Sequence, residues 1–218
     1  FRSPRRCGPM AALTGLDMSS EELDLARKRN PDPTIKLRQG VAQNLDSFDD
    51  GTFDVVLCHQ ALTLMDQVPQ VLREVNRVLK PGGTFAAIVD GDPVTAPGYT
   101  EVHNAIYDLV QLEHPNYGKV DLGDPRVRKS RDLRQLVRET LKGAQVEIES
   151  AVFDLHAAPD ILAREAAGFF YASYVLSVPT HHQMLQDLED LFARQQKVDC
   201  SRFALPVNRV IVKLGIDP

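Results

Sequence analysis

Phe53-Asp54-Val55-Val56-Leu57-Cys58 is a mostly apolar, β-branched run, the composition expected of a central strand in a parallel sheet, where both faces are covered. Downstream of it, Val68, Val71, Leu72, Val75, Val78 and Leu79 recur at helical spacing. That helix is expected to close at Lys80-Pro81-Gly82-Gly83, where glycine can take a left-handed cap and proline cannot continue the helix. Residues 84–89 (TFAAIV) read as the next buried strand, with Asp90 at its carboxyl end. Upstream, Ile35 and Leu37 alternate with Lys36 and Arg38, a half-buried strand before Gly40. Ser19, with Glu22 three residues on, predicts a capping box opening an earlier helix that ends near Asn30 and Pro31. Residues 11–16 (AALTGL) precede that helix as a short apolar run ending at Asp17. Short β runs alternating with helical patterns imply a parallel sheet with crossover helices.

The second half is less regular. Residues 99–113 and 130–141 read as helices, with a proline- and glycine-bearing loop between them. Residues 146–155 (VEIESAVFDL) read as a strand, residues 160–176 and 181–196 as helices, and residues 207–214 (VNRVIVKL) as a closing strand. The chain of 218 residues suits one domain, 1–218, with its core in 7–91, 144–156 and 203–215. Residues 92–140 and 158–200 form helical cap insertions in this reading. A net charge of −5 argues against a broad nucleic-acid footprint. No apolar run reaches the roughly 20 residues of a membrane span, and no apolar signal core follows the basic residues 1–6, so no secretory signal is expected. Cys7, Cys58 and Cys200 are far apart and form no C-x-x-C pair, which fits a reducing, cytoplasmic setting without a zinc knuckle. His181-His182, adjacent on a helix, diverge in direction and are read as a surface pair, so no metal site is expected.

Open α/β sheets bind ligands beyond the carboxyl ends of their strands. Four such ends are legible: Asp17, the 40–45 segment, the 58–62 segment and Asp90. In Thr14-Gly15-Leu16-Asp17-Met18-Ser19, the acid can accept hydrogen bonds from a ribose diol, Gly15 lets a ligand approach the backbone, and Met18 can lie against an adenine face. An ordinary turn with a solvated Asp17 is the alternative. In Gly40-Val41-Ala42-Gln43-Asn44-Leu45, a backbone N–H can read the adenine edge, unless the loop serves only as a turn. Cys58-His59-Gln60-Ala61-Leu62 offers His59 as a candidate general base, since imidazole titrates near neutrality. A structural His59 whose backbone lines the site is the competing reading. Gln60 can fix a substrate or cofactor amide. The 72–83 stretch reads as an amphipathic helix with a scaffolding role, on the face away from the site.

In their order and spacing, Gly15-Leu16-Asp17-Met18-Ser19, the 40–45 segment, Phe53-Asp54-Val55-Val56, His59-Gln60-Ala61-Leu62 and Leu72 to Gly83 resemble the class I S-adenosylmethionine (SAM)-dependent methyltransferases, specifically the UbiE-like, type 11, small-molecule group. The resemblance covers residues 7–90. Phe203-Ala204-Leu205-Pro206-Val207-Asn208 is similar to the family's final hairpin strand. The fold class it implies is α/β: a doubly wound, Rossmann-like, mostly parallel sheet with an antiparallel final strand and a helical cap. It implies SAM as methyl donor and S-adenosylhomocysteine as product, with cofactor-binding residues Gly8, Gly15, Asp17, Met18, Val41, Ala42, Cys58 and His59. Asp17 would hold the ribose hydroxyls, Met18 would flank the adenine, the Ala42 backbone would meet the adenine ring, and Cys58 and His59 would line the methionine part.

Two departures stand out. Val41 occupies the position of a family acid that contacts the adenine amino group. Cys7-Gly8-Pro9 looks like the middle of the family's glycine-rich loop, yet Gly8 lies nine residues before Asp17, where a strand, loop, helix and strand would take about twenty. Either the loop-bearing strand is missing from this stretch of sequence, or the protein lacks it and is inert; the remaining sheet signals favour the first, since they need a first central strand. The function expected is methyl transfer to an O, N or C atom of a small molecule, in secondary metabolism, by a protein compatible with a homodimer. Two alternatives stay open: a non-catalytic scaffold binding a protein partner, and a SAM-binding enzyme with another reaction. The substrate pocket is expected among the aromatic residues of the cap: Tyr99, His103, Tyr107, His114, Tyr117 and residues 168–174, which equally suit a core.

Overall fold

Each apolar run of the first half forms the element its pattern demands. The computed structural model describes residues 12–118, 123–195 and 200–215. In chain order these give β1 (Leu13–Asp17), α1 (Ser20–Arg29), β2 (Ile35–Gln39), β3 (Phe53–His59), α2 (Val68–Val78), β4 (Leu79–Asp90), α3 (Tyr99–Glu113), α4 (Ser130–Thr140), β5 (Gln145–Ala157), α5 (Pro159–Phe169), α6 (Val178–Arg194) and β6 (Ser201–Lys213). The α/β class is borne out. β1 pairs with β2 and β3 with β4 in parallel, while β6 runs antiparallel to both β4 and β5. The sheet comes in two hydrogen-bonded sets among the described residues, β1-β2 and β3-β4-β6-β5.

Two apolar cores flank the four-stranded set. One joins α2, α4 and the inner faces of the strands, with Val68, Leu72, Phe85, Val89, Leu133, Val137, Val210 and Val212 essentially inaccessible. The other joins α3, α5, α6 and the start of β6, around Ile106, Leu162, Met184, Leu188, Phe192 and Phe203. β6 serves both. Its thirteen residues pair along the full length of β5, whereas only its second half meets β4. On the far face of the sheet, Val55 and Leu57 are 52% and 75% exposed.

Several boundaries differ from the sequence reading, each for a local reason. α2 stops at Val78 rather than at the glycines, because Leu79 is extended and pairs with Phe53, drawing Lys80 to Gly83 into β4. The capping box is half made. Ser19 Oγ accepts from the Glu22 N–H at 3.1 Å, but the Ser19 N–H goes to Asp17 Oδ1 at 2.9 Å instead of to Glu22. The expected 160–176 helix ends at Phe169 and continues as a 3-10 turn, Tyr171–Val175. Gly8, together with Cys7, lies outside the described residues. His181 and His182 sit in the first turns of α6.

The junction of α3 and α6 is electrostatic. The Glu113 carboxylate, at the end of α3, accepts from the Ser177 N–H at 2.9 Å, from the Ser177 hydroxyl at 2.6 Å and from the Thr180 hydroxyl. It thereby caps α6, whose free N–H groups favour a negative charge. These bonds, the Ser177 hydroxyl first among them, lower the Glu113 pKa from 4.5 to about 2. A carboxylate depressed in the folded state stabilises above its unfolded pKa and loses that contribution as pH falls. Glu113→Gln is therefore expected to lower the urea midpoint at pH 7, with the difference from the parent protein shrinking between pH 4.5 and about 2. A difference independent of pH in a urea titration series would show that the charge is not what matters.

Candidate active site

Asp17 ends β1, and its backbone C=O accepts from the Gly40 N–H at 2.9 Å, so the ends of β1 and β2 meet. One carboxylate oxygen takes the Ser19 N–H at 2.9 Å. The other has no partner among the described residues, and the side chain faces solvent. Met18 is 73% exposed beside it, with its C=O held by the Gln39 side-chain amide at 3.0 Å. An orientated acid next to an exposed, polarisable thioether is a donor set that fits a ribose and an adenine face. Gly15 plays a different part from the one expected. A β-carbon there would stand 2.8 Å from Leu37 Cδ2, so the space over it belongs to the neighbouring strand.

The 40–45 segment is a tight turn closed by the Val41–Asn44 bridge. Val41 is exposed, whereas Ala42 rests against the first core. α2 holds this turn in place, which gives the helix more than a scaffolding role. Glu74 Oε2 accepts the Leu45 N–H at 2.7 Å and is itself fixed by Arg77 at 3.0 Å. Arg77 also binds the Phe48 carbonyl at 2.9 Å and Asp50 at 2.7 Å. The Gln43 amide reaches the Asp66 carbonyl at 3.2 Å.

At the end of β3 the chain turns sharply. Gln60 adopts φ 54°, a left-handed conformation that costs a non-glycine residue about 1–3 kcal/mol, and its N–H binds the Ile88 carbonyl at 2.8 Å. The turn aims the N–H groups of Ala61 and Leu62 at the Cys58 sulfur. Cys58 points into the first core while His59 points to the exposed face, as strand alternation requires. Among the described residues no side chain partners the His59 imidazole, so nothing orients it as a base. The structure thus brings Asp17, Met18 and the 40–42 turn together at the ends of β1 and β2, and Cys58, His59 and Gln60 together at the end of β3. No described hydrogen-bonded pairing joins β1 to β3.

Sequence reasoning passed over the groups around Asp90. Thr63, 1% exposed in the 3-10 turn Leu62–Leu64, donates its hydroxyl to the Asp90 carboxylate. Asn208, also 1% exposed, donates to the carbonyls of Asp90 and Arg128. Both are polar residues inside apolar runs, Leu62-Thr63-Leu64 and Val207-Asn208-Arg209-Val210, and that interruption was the available signal. Among the described residues no group of three metal-ligating side chains is gathered.

The parallel pairs β1-β2 and β3-β4 and the antiparallel last strand give a Rossmann-like α/β fold, which the methyltransferase structures named below share. Residues 3–87 match the family model described as a methyltransferase domain, which bears out the UbiE-like resemblance. The chain is 37% identical over 115 residues to demethylmenaquinone methyltransferase of Listeria welshimeri, covering 51% of this chain and 47% of that protein. It is 39% identical over 102 residues to phthiotriol/phenolphthiotriol dimycocerosates methyltransferase of Mycobacterium leprae, covering 47% and 37%. The chain thus spans about half or less of the length of the curated relatives it matches. Among solved structures, the YcgJ protein of Bacillus subtilis superposes with TM-score 0.56 at 17% identity, over 93% of this chain and 82% of that one. The [4+2]-cyclase SpnF superposes with TM-score 0.53 at 17% identity, over 98% and 70%. At such identities these two likenesses speak for the fold alone.

Burial pushes the Cys58 thiol above its ordinary pKa, against the pull of the Leu62 and Ala61 N–H groups. The thiolate is the reactive form, so this thiol is slow. Limited alkylation with iodoacetamide at pH 8 is expected to modify exposed Cys200 at least tenfold faster than Cys58, as read by peptide mass spectrometry. Equal rates would place Cys58 outside the core.

Proposed function

We propose that the protein is a SAM-dependent methyltransferase acting on a small molecule, with the nucleoside seated at the carboxyl ends of β1 and β2. The observation that carries this reading is Asp17, held by the Ser19 N–H with its second oxygen open, beside exposed Met18 and the 40–42 turn. In this reading Asp17 holds the ribose diol, Met18 flanks the adenine, and the Ala42 backbone meets its edge. Gly15 and Gly40 let β1 and β2 close to the required spacing, since a β-carbon at either would meet a leucine at under 3 Å. Val41 borders the base without an acid to receive its amino group. Cys58 and His59 border the methionine part chiefly through their backbones, and His59 serves as a wall rather than a base. Gly8 belongs to the same set on the strength of the family resemblance. When bound, SAM supplies a methyl carbon already activated by the sulfonium, so the protein's work is to position the acceptor and exclude water.

The matched methyltransferases act on small molecules by name, demethylmenaquinone and phthiotriol derivatives, which supports a small-molecule acceptor. Methylation at O, N or C in secondary metabolism is the finer reading, with the helices of residues 92–140 and 158–200 as the cap. The dispersed cysteines suit a reducing compartment such as the cytoplasm, and no described helix is long and apolar enough to cross a membrane.

Calorimetry with S-adenosylhomocysteine tests the assignment. Asp17→Ala is expected to weaken binding at least tenfold, because a charged hydrogen-bond acceptor is worth about 1.5–3 kcal/mol; an unchanged dissociation constant overturns it. Val41→Asp, which restores an acceptor for the adenine amino group, is expected to tighten binding severalfold, about 0.5–1.5 kcal/mol, measured in the same titration.

A further inference from the structure

Among the described residues β5 is an edge strand. Its thirteen residues pair with β6 on one side and with no strand on the other. The Arg134 guanidinium, from α4, donates to the Val146 carbonyl at 2.7 Å and to the Ile148 carbonyl at 3.2 Å. Those two carbonyls therefore point away from β6. The pairing with β6 runs from Gln145–Lys213 to Ala157–Ser201 without a bulge. Main-chain direction alternates along an antiparallel strand, so the N–H and C=O groups of Ser150, Val152, Asp154 and His156 point outward as well. Pro206, which has no N–H to give, lies opposite Val152, where no bond between the two strands is called for. No described residue bonds the outward groups of Ser150 to His156.

Edge strands are usually blunted by lysine, proline, a bulge or a covering group. Arg134 does this for residues 146–148, and Pro159 opens α5 just beyond the strand's other end. Residues 150–157 (SAVFDLHA), between these stops, hold no lysine, no proline and no bulge. Phe153 and Leu155 are 59% and 40% exposed there, and they share one sheet face with Ala151. The acids along this part of the strand are already offset. Arg202 holds Asp154 at 2.5 Å, and Arg209 holds Glu149 at 2.6 Å. A bare edge with exposed apolar side chains and paired charges is a template for another strand.

We propose that this edge binds a second copy of the same chain, through antiparallel β5–β5 pairing about a two-fold axis at Phe153. The open stretch is its own complement. Turned about Phe153, Ser150 of one copy faces His156 of the other, and Val152 faces Asp154. Every outward N–H and C=O of the stretch then finds a partner, about eight hydrogen bonds in all. Other centres fail. A centre at Asp154 sets the two Asp154 carboxylates directly opposite, where like charges destabilise. A centre at Leu155 puts Ser150 against Asp160, already in α5. A centre nearer the start of β5 brings His156 onto carbonyls that Arg134 occupies. At Phe153 the two rings meet in a non-hydrogen-bonded pair, Cα atoms about 4.5 Å apart, with Leu155 of each copy opposite Ala151 of the other. The two-fold axis closes the assembly at two copies, and the two four-stranded sets become one continuous sheet. This association does not depend on the proposed reaction.

Sedimentation equilibrium of the full chain, at concentrations up to about 100 μM, is expected to show monomer and dimer with no larger species. Phe153→Lys puts a charge on the edge. Val152→Pro removes an outward N–H and spares the pairing with β6. Each is expected to raise the dimer dissociation constant at least tenfold, with the circular dichroism spectrum unchanged. On oxidation Phe153→Cys is expected to link to its counterpart in the second copy, because that separation suits a disulfide, and the linked peptide pair is read by mass spectrometry. Glu147→Cys lies outside the overlap and is expected not to link. Should Val152→Pro fail to fold, Phe153→Lys and the cross-link decide. A parent protein that stays monomeric at about 100 μM, a dimer untouched by Phe153→Lys, or linkage through Glu147→Cys but not through Phe153→Cys overturns the proposal. Assemblies larger than a dimer overturn it too, since they show an edge that does not close on itself.

Discussion

The buried side-chain amide of Asn208 is the joint on which the described sheet and its helical insertions meet. It sits midway along β6, between Val207 and Val210, so one end of the strand lies in each apolar core. Three of its possible hydrogen bonds are made, to Asp90, Arg128 and Ser150. A buried amide left unpaired would cost about 1–3 kcal/mol per group, so the strand end, the 3-10 turn and β5 must all arrive together. That requirement links the register of β6 to the position of Asp90. A one-residue slip would turn Asn208 to solvent and reverse the faces of Val210 and Val212.

The same logic explains where polar chemistry collects. β4 is paired on both sides, with β3 and with β6, so its backbone groups are satisfied along the two ladders. At the carboxyl ends the ladder stops, so side chains and turns must finish the hydrogen bonding. At the end of β1 an Asx turn does this with the Asp17 carboxylate. At the end of β3 a left-handed Gln60 folds the chain back onto Ile88. At the end of β4 the task falls to Thr63 and Asn208. Each device leaves a polar group positioned at the strand end, which is the condition a binding site needs.

Much of this was legible because the first half of the chain is locally consistent. The apolar period of α2, the β-branched run of β3 and the serine before α1 each point to the element that forms. α3, read as residues 99–113, is recovered to the residue. Where the reading slipped, a longer-range partner overrode a local preference. Proline and two glycines argue for a helix stop at 80–83, but pairing with Phe53 begins the strand at Leu79. Glu22 has the spacing of a capping box, but Asp17 lies closer to the same N–H. The roles of Glu74, Thr63, Arg128 and Asn208 were not legible, since each depends on a partner up to 118 residues away, as Asn208 does on Asp90. Local pattern cannot report such separations.

Asp17 and Asp90 show how environment, not residue type, assigns the chemistry. Both are acids at the end of a parallel strand, and both were visible in sequence as such. Asp17 is exposed and carries one local N–H bond. Its second carboxylate oxygen stays open to solvent. Asp90 is enclosed by Thr63, Tyr99, Tyr107 and Arg128, and burial works against its ionised form. Such a group gains most from a ligand that donates a hydrogen bond, because the bond relieves the penalty of burial. Two identical side chains at the ends of parallel strands thus meet different surroundings, one open to solvent and one half-buried among its neighbours.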